Sequence, residues 1–293
     1  MNRPEKWLPG VTAASKVRAV ARQTLALRLE RAAKFLKRST KNSEEQAEHI
    51  HKLRTWCRRS AAAVELWRPL LPKQEAKWFA GKLKKIRQAA GDVRDLDVML
   101  EQTGDNHSLA RELNKQRNKA LQPIARLHKR LVKRDKLDKR QRRLLRDIKE
   151  PKVRLGEWAK RRAGKQAAAL LVLGQRSLQP LEAAHEFRIA CKELRYVLEI
   201  VGGALPPAAA KLYERLGDLQ QRIGVVCDQA AAEKMYAALL AKVSRSHRQP
   251  FRDAASTARQ EKSRRHRALL RWWTAQRRKA FHQALANAGL LEK

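Results

Sequence analysis

The sequence predicts an all-α protein made of two related helical bundles, and three observations lead there. Apolar residues recur at helical spacing through most of the chain, and no alternating strand pattern of useful length occurs. Aromatics are 5%, with 12 Gly and 10 Pro in 293 residues, too few for the many tight turns of a sandwich or barrel. The chain also matches itself. His51-Lys52-Leu53-Arg54-Thr55-Trp56-Cys57-Arg58 aligns with His185-Glu186-Phe187-Arg188-Ile189-Ala190-Cys191-Lys192 at an offset of 134 residues.

The helices follow in order. Val17, Val20, Ala21, Leu25, Leu29, Ala32 and Leu36 make one apolar stripe, which predicts a helix over 11–38. Ser39 to Ser43 breaks it, and Asn42 or Ser43 is placed to cap the next helix, with Glu44 and Glu45 favourable in its first turn. That second helix runs to about Leu70 and stops before Pro72; Trp56 and Trp67 fall on its apolar face and are expected in the core. A third spans 73–102 and tolerates Gly81 and Gly91. A turn at Thr103-Gly104-Asp105 leads to a fourth over 108–134, kinked by Pro123. The basic stretch from Lys129 to Arg146 reads as a surface helix.

The second half repeats the rhythm, with helices at 136–149, 151–173, 180–202, 207–242 and 247–286. Pro151, Gly174, Pro180, Gly202-Gly203 with Pro206-Pro207, and Pro250 punctuate them. The 134-residue offset also pairs Cys57 with Cys191, Glu65 with Glu199, and Leu71-Pro72 with Leu205-Pro206. Gly91-Asp92-Val93-Arg94-Asp95 matches Gly224-Val225-Val226-Cys227-Asp228 at offset 133, a one-residue shift in a connecting loop. The period is too long for a solenoid unit, so it describes a duplicated bundle whose halves divide near 135–145.

Charge narrows the partner. Lys and Arg number 67 against 29 Asp and Glu, a net charge of +38, while 43% hydrophobic residues exclude a disordered basic tail. Such a charge opposes folding by self-repulsion and attracts polyanions: nucleic acid, an anionic membrane or a soluble polyanion. Three cysteines within helical patterns cannot make a disulfide framework and suit a reducing compartment. The first ten residues lack the apolar run of a secretory signal, and the longest apolar stretch, 167–173, is far too short to cross a membrane. A soluble, cytosolic protein is expected, without a membrane partner.

At about 3.6 residues per turn, His51, Arg54 and Arg58 fall on one narrow helical stripe, and so do His185, Arg188, Lys192 and Arg195. In the first copy the apolar stripe of Leu53, Cys57, Val64 and Trp67 lies beside the basic one, which places the cations in a groove or inner cavity. Stacked like charges repel unless a ligand neutralises them. Arg offers a planar fork to phosphate oxygens, Lys a compact charge, and His becomes cationic when a phosphate raises its pKa. Groups one helical turn apart match an extended chain of repeating negative charge better than a single small ligand. Glu65 and Glu199 lie near the stripes, placed either to hold an Arg or to offset charge.

These motifs resemble the CHAD domain family, the conserved histidine α-helical domain. The first copy carries His51, Arg54, Arg58 and Arg59, then Gly91, Arg94, Asp95 and Asp97 in GDVRDLDV. The second carries His185, Arg188, Lys192, Arg195 and Tyr196 in HEFRIACKELRY, then Gly224 and Asp228. The resemblance covers roughly 11–285, with the first bundle at about 11–135 and the second at 136–285. It implies two pseudo-symmetric four-helix bundles around a basic central cavity, binding of inorganic polyphosphate, and association with bacterial polyphosphate granules. The ligand residues it implies are His51, Arg54, Arg58, Arg59, His185, Arg188, Lys192 and Arg195, with Arg22, Arg28, Lys82 and Lys85 from neighbouring helices. Arg59 fits the stripe least well. Cys227 stands where Arg94 stands in the first copy, so any Arg contact there is made once. Asp95 and Asp228 read as structural, capping a helix or pairing with a basic residue, rather than catalytic. The ExExK motif of the triphosphate-hydrolysing domain fused to some members is absent, which implies a stand-alone form.

Catalysis is not expected. There is no GxxxxGK[ST] phosphate loop. On a helix Asp92 and Asp95 are neighbours but Asp97 points elsewhere, a poor magnesium site, and His49 and His51 at i, i+2 diverge, a poor zinc pair. His51 or His185 as a phosphate-attacking nucleophile lacks an evident metal or acid partner. The sequence therefore calls for no metal and no cofactor. It points to non-catalytic binding of inorganic polyphosphate, with weak nucleic-acid binding as a side property. The competing readings are a sequence-nonspecific nucleic-acid binder and a metal-dependent polyphosphate or triphosphate hydrolase.

Overall fold

In the computed structural model, the described residues are 6–101, 107–241 and 248–291, and all regular structure among them is helical. The Thr103-Gly104-Asp105 turn lies outside them. The chain divides into two compact units. One is Lys16–Lys152; the other joins the segment through Ser15 to the chain from Val153 onward.

In the unit Lys16–Lys152, four long helices follow one another: α1 (Val17–Arg38), α2 (Gln46–Trp67), α3 (Lys73–Glu101) and α4 (His107–Leu131). Each packs on the next, and α5 (Lys136–Arg146) closes against α1, α3 and α4. That packing makes α5 the fifth helix of this unit, so the division falls after residue 152 and not near 135. Leu25, Leu29, Leu36, Ile50, Leu53, Trp67, Phe79 and Ile86 form the core. Trp56 and Trp67 are buried, as their spacing predicts.

The second unit contains α6 (Leu155–Gln175), α7 (Leu181–Val201), α8 (Ala208–Leu240), α9 (Gln249–Trp272) and α10 (Ala275–Asn287). Neighbours in sequence pack together from α6 to α9, and α10 lies on α8 and α6. Each unit thus holds five helices among the described residues, a four-helix succession with one short addition. No described helix is long and apolar enough to cross a membrane.

Four local expectations are corrected. The first helix begins at Val17, because residues 12–15 form a turn that docks elsewhere. The Leu155 and Gly156 amides donate to the Ser15 and Ala13 carbonyls at 3.1 and 2.9 Å. Neither Asn42 nor Ser43 caps α2 by its side chain; the helix starts at Gln46, whose side-chain amide donates to the Ser39 and Lys41 carbonyls. The basic run from Lys129 to Arg146 is broken at Asp135, which adopts φ 51°, and α5 buries Leu137 and Leu144. The final helix is two. Trp273 turns inward and its indole N–H donates to the Gly174 carbonyl at 3.0 Å, and the Thr274 hydroxyl then accepts from the Arg277 amide to start α10. No Gly or Pro marks that break.

Gly203 shows how tightly the N-terminal segment is held. A Cβ there would lie 2.3 Å from the Val11 carbonyl oxygen, a backbone atom that cannot swing aside. Gly203→Ala is expected to destabilise the second unit by about 1–3 kcal/mol, read as a lowered midpoint in denaturant unfolding.

Candidate functional site

In the first unit α2 and α3 present the basic stripe. Arg54 Nη1 donates to Asp95 Oδ1 at 2.9 Å, and the Arg54 side chain crosses α3 at Gly91. Arg58 and Arg94 act on His51 through their charge, so His51, Arg54, Arg58 and Arg94 share one electropositive locality. Partial burial of the ring, then Arg94, Arg54 and Arg58, hold the His51 pKa below its ordinary value, against an opposing pull from Glu48. The free protein therefore holds His51 neutral near pH 7. Arg94 belongs to this group although the stripe argument, confined to one helix, did not select it.

The second unit repeats the arrangement on α7 and α8. Arg188 Nη2 lies 3.3 Å from Asp228 Oδ1, the counterpart of the Arg54–Asp95 pair. The guanidinium of Arg188 rests over Gly224, where a Cβ would come within 3.2 Å of it. Two turns along, Arg195 rests over Gly217, so α7 and α8 run antiparallel with an Arg laid over a Gly at two levels. Arg195 also donates to Gln220 at 2.9 Å and lies 4.4 Å from the Tyr213 ring centre. The Tyr213 hydroxyl in turn donates to the buried Glu199 carboxylate at 3.1 Å. Glu199 thus positions Arg195 through Tyr213, whereas Glu65 pairs with Arg68 at 2.7 Å.

Arg188, Arg195, Gly217, Gln220, Gly224 and Asp228 line an open groove of about 650 Å³, with Glu214 and Asp218 among its other walls. The Nε atoms of Arg188 and Arg195 are buried and donate to nothing in the protein. A buried donor left unmade costs free energy that an anion in the groove would recover.

The remaining sequence candidates separate. His185 is exposed one turn before Arg188. Lys192 is buried, close enough to Cys227 for its charge to act on that thiol. Arg59 turns over the Trp56 ring at 4.9 Å, away from the stripe. Arg28 is corrected outright. It is 2% exposed and its Nη1 donates to the Arg59 carbonyl at 2.9 Å, so it fastens α1 to α2 in the core and is closed to a ligand. Arg22 is exposed on α1. Lys82 and Lys85 gather with Arg130, Lys136 and Arg140 on α3, α4 and α5, and burial followed by that crowding lowers the Lys82 pKa.

The aspartates of GDVRDLDV do not converge. Asp95 holds Arg54, and buried Asp97 accepts from Arg117 of α4. Asp92 has its carboxyl pKa raised by burial and by Asp95, against Arg54. His49 is buried against Phe35 while His51 is exposed, so the two histidines diverge as their spacing predicts. The three cysteines are buried; burial pushes the Cys57 thiol up to about 12 and raises those of Cys191 and Cys227.

The profile of the CHAD domain matches residues 23–237, most of the chain and both copies of the motif. The chain belongs to the CHAD domain family. The family is associated with polyphosphate- and triphosphate-related functions. Two solved CHAD-like folds resemble the chain. The CHAD domain from the plant Ricinus communis is 20% identical with TM-score 0.60, covering 96% of this chain and 93% of that one. PptA from Streptomyces chartreusis is 14% identical with TM-score 0.62, covering 88% and 99%. At those identities they establish the CHAD fold alone. No curated protein matches this CHAD protein.

Because His51 is neutral in the free protein, a polyanion that raises its pKa must draw in a proton. For a polyanion bound at this stripe, affinity is expected to rise as pH falls from 8 towards 5.5, by at most about tenfold per pH unit per proton taken up. His51→Gln is expected to flatten that slope, measured by isothermal titration at matched ionic strength. An unchanged slope would place the proton elsewhere.

Proposed function

We propose that this CHAD protein binds inorganic polyphosphate without transforming it, and that it associates with polyphosphate granules in the cytoplasm. The observation that carries this reading is the doubled arrangement of an Arg laid over a Gly and tethered to an Asp: Arg54, Gly91 and Asp95, then Arg188, Gly224 and Asp228. Each tether leaves the guanidinium with spare donors, and each sits in a stripe of further cations spaced by helical turns. Repeated charge at that spacing suits a chain of phosphates.

The non-catalytic part is supported by what the acidic residues do. Asp95, Asp97 and Asp228 each hold an Arg, and among the described residues no three His, Cys, Asp or Glu side chains gather as a metal site needs. Phosphoryl transfer relies on metal-bridged phosphates and a positioned nucleophile.

The deciding experiment titrates the full chain with medium-chain polyphosphate and with RNA of matched charge at physiological salt. Submicromolar polyphosphate binding with much weaker RNA binding is expected. Equal or tighter RNA binding would make the +38 charge a nucleic-acid surface, and phosphate release dependent on a divalent metal would make the protein a hydrolase.

A further inference from the structure

The groove under Arg188 and Arg195 does not end at α7. On the other side of α8 a second groove of about 300 Å³ runs between α8 and α9, and the two share Asp218, Gln221 and Val225 as walls. Both volumes lie within the range of small-molecule sites, about 300–1,000 Å³. Their linings differ in chemistry. The first is guanidinium over glycine. The second is formed by Arg222, Arg265, Leu269 and Trp272, a planar aromatic and an aliphatic wall edged by two guanidiniums.

Trp272 is half-buried and draws planar cations to itself. The guanidiniums of Arg222 and Arg277 each lie 4.5 Å from its ring centre, and Trp273 stacks beside it at 5.8 Å. Indole faces and guanidinium planes are the two surfaces on which nucleobases stack. Asp218 stands where the grooves meet, with its carboxylate accepting from Arg222 at 3.0 Å. A carboxylate at that junction suits the vicinal hydroxyls of a ribose and repels further phosphate. Phosphate-binding, hydroxyl-binding and stacking groups therefore follow one another across α8, from its α7 side to its α9 side.

The first copy does not repeat this. At the 133-residue offset, Asp218 corresponds to Lys85 and Arg222 to Ala89, so that position of α3 carries a cation without the carboxylate or the stacking Arg.

We propose that these joined grooves bind a nucleoside triphosphate, with its phosphates at Arg188 and Arg195, its ribose at Asp218 and its base against the Arg222–Trp272 stack. The proposal rests on the phosphate-binding reading of Arg188 and Arg195, and it adds a terminal recognised group to a phosphate chain.

The test compares ATP with tripolyphosphate by isothermal titration on the full chain, alongside long-chain polyphosphate. Tripolyphosphate carries at least as much charge on the same three phosphates, so electrostatics alone makes it the tighter ligand. Tighter ATP binding, by about five- to a hundred-fold, is the expected result of base stacking. Trp272→Leu is expected to bring ATP down to or below tripolyphosphate while leaving tripolyphosphate and long-chain polyphosphate unchanged. Arg265→Ala, an exposed position that spares the aromatic packing, is expected to lower the ATP-to-tripolyphosphate ratio in the same direction. ATP no tighter than tripolyphosphate, or an advantage that survives both variants, overturns the nucleoside site while long-chain binding persists. Absence of binding by all three ligands to the unaltered protein overturns the phosphate reading itself.

Discussion

Replacing His51, Arg54, His185 and Arg188 together with alanine is expected to weaken polyphosphate binding by at least about 100-fold at physiological salt. Without the charge-assisted hydrogen bonds that Arg54 and Arg188 donate to phosphate, binding weakens by about 3 kcal/mol or more, and about 1.4 kcal/mol is a factor of ten. The fold should survive. Asp95 and Asp228, the partners left behind, are 41% and 62% exposed, so water replaces the Arg at each carboxylate at little cost. Far-UV circular dichroism and the thermal midpoint check that half of the prediction. Normal binding by a folded quadruple variant would remove both stripes from the site.

Salt supplies the second large effect. Six permanent cations belong to the two stripes and their α3 neighbour: Arg54, Arg58, Arg94, Arg188, Lys192 and Arg195. For a flexible single chain the logarithm of affinity falls by about 0.7 per neutralised phosphate for each logarithm of salt. Six neutralised phosphates give a slope near −4, roughly a 250-fold weakening between about 50 and 200 mM salt. The slope is measured by repeating the titration across that range. A slope near −1 would mean that one or two phosphates touch the protein, and the extended-chain geometry would fall. The quadruple variant should show a slope shallower by about 1.4, because two of the six cations are gone.

That Arg54 recurs as Arg188 and Asp95 as Asp228 was legible as residue types at an offset of 134 falling to 133; that each Arg holds its Asp across two helices was not. Helical periodicity alone brings His51, Arg54 and Arg58 into line. What it cannot do is say which neighbouring helix faces them. Arg94 reaches the His51 locality from α3, and Glu199 acts on Arg195 through Tyr213 of α8; both relations cross helices. Arg28 is the sharpest departure. The family resemblance implies it as an added ligand from a neighbouring helix, but the packing of α1 on α2 buries it against a carbonyl oxygen. The N-terminal segment shows the same limit. Residues 11–15 continue the apolar pattern of α1, while Leu155, Gly156 and Gly203, distant in sequence, hold them in the other unit.

By itself the sequence determined the helical class, the doubled motif, the excess of positive charge and the identity of the two basic stripes. Those properties are carried by residue type and by spacing within one helix, where geometry repeats about every 3.6 residues. Tertiary structure alone decided where the chain divides, which cations are buried, that His51 is neutral when free, and that Arg188 and Arg195 share a groove with Asp218. Each of these depends on the meeting of helices far apart in the chain. Burial and electrostatic environment arise only when such faces come together.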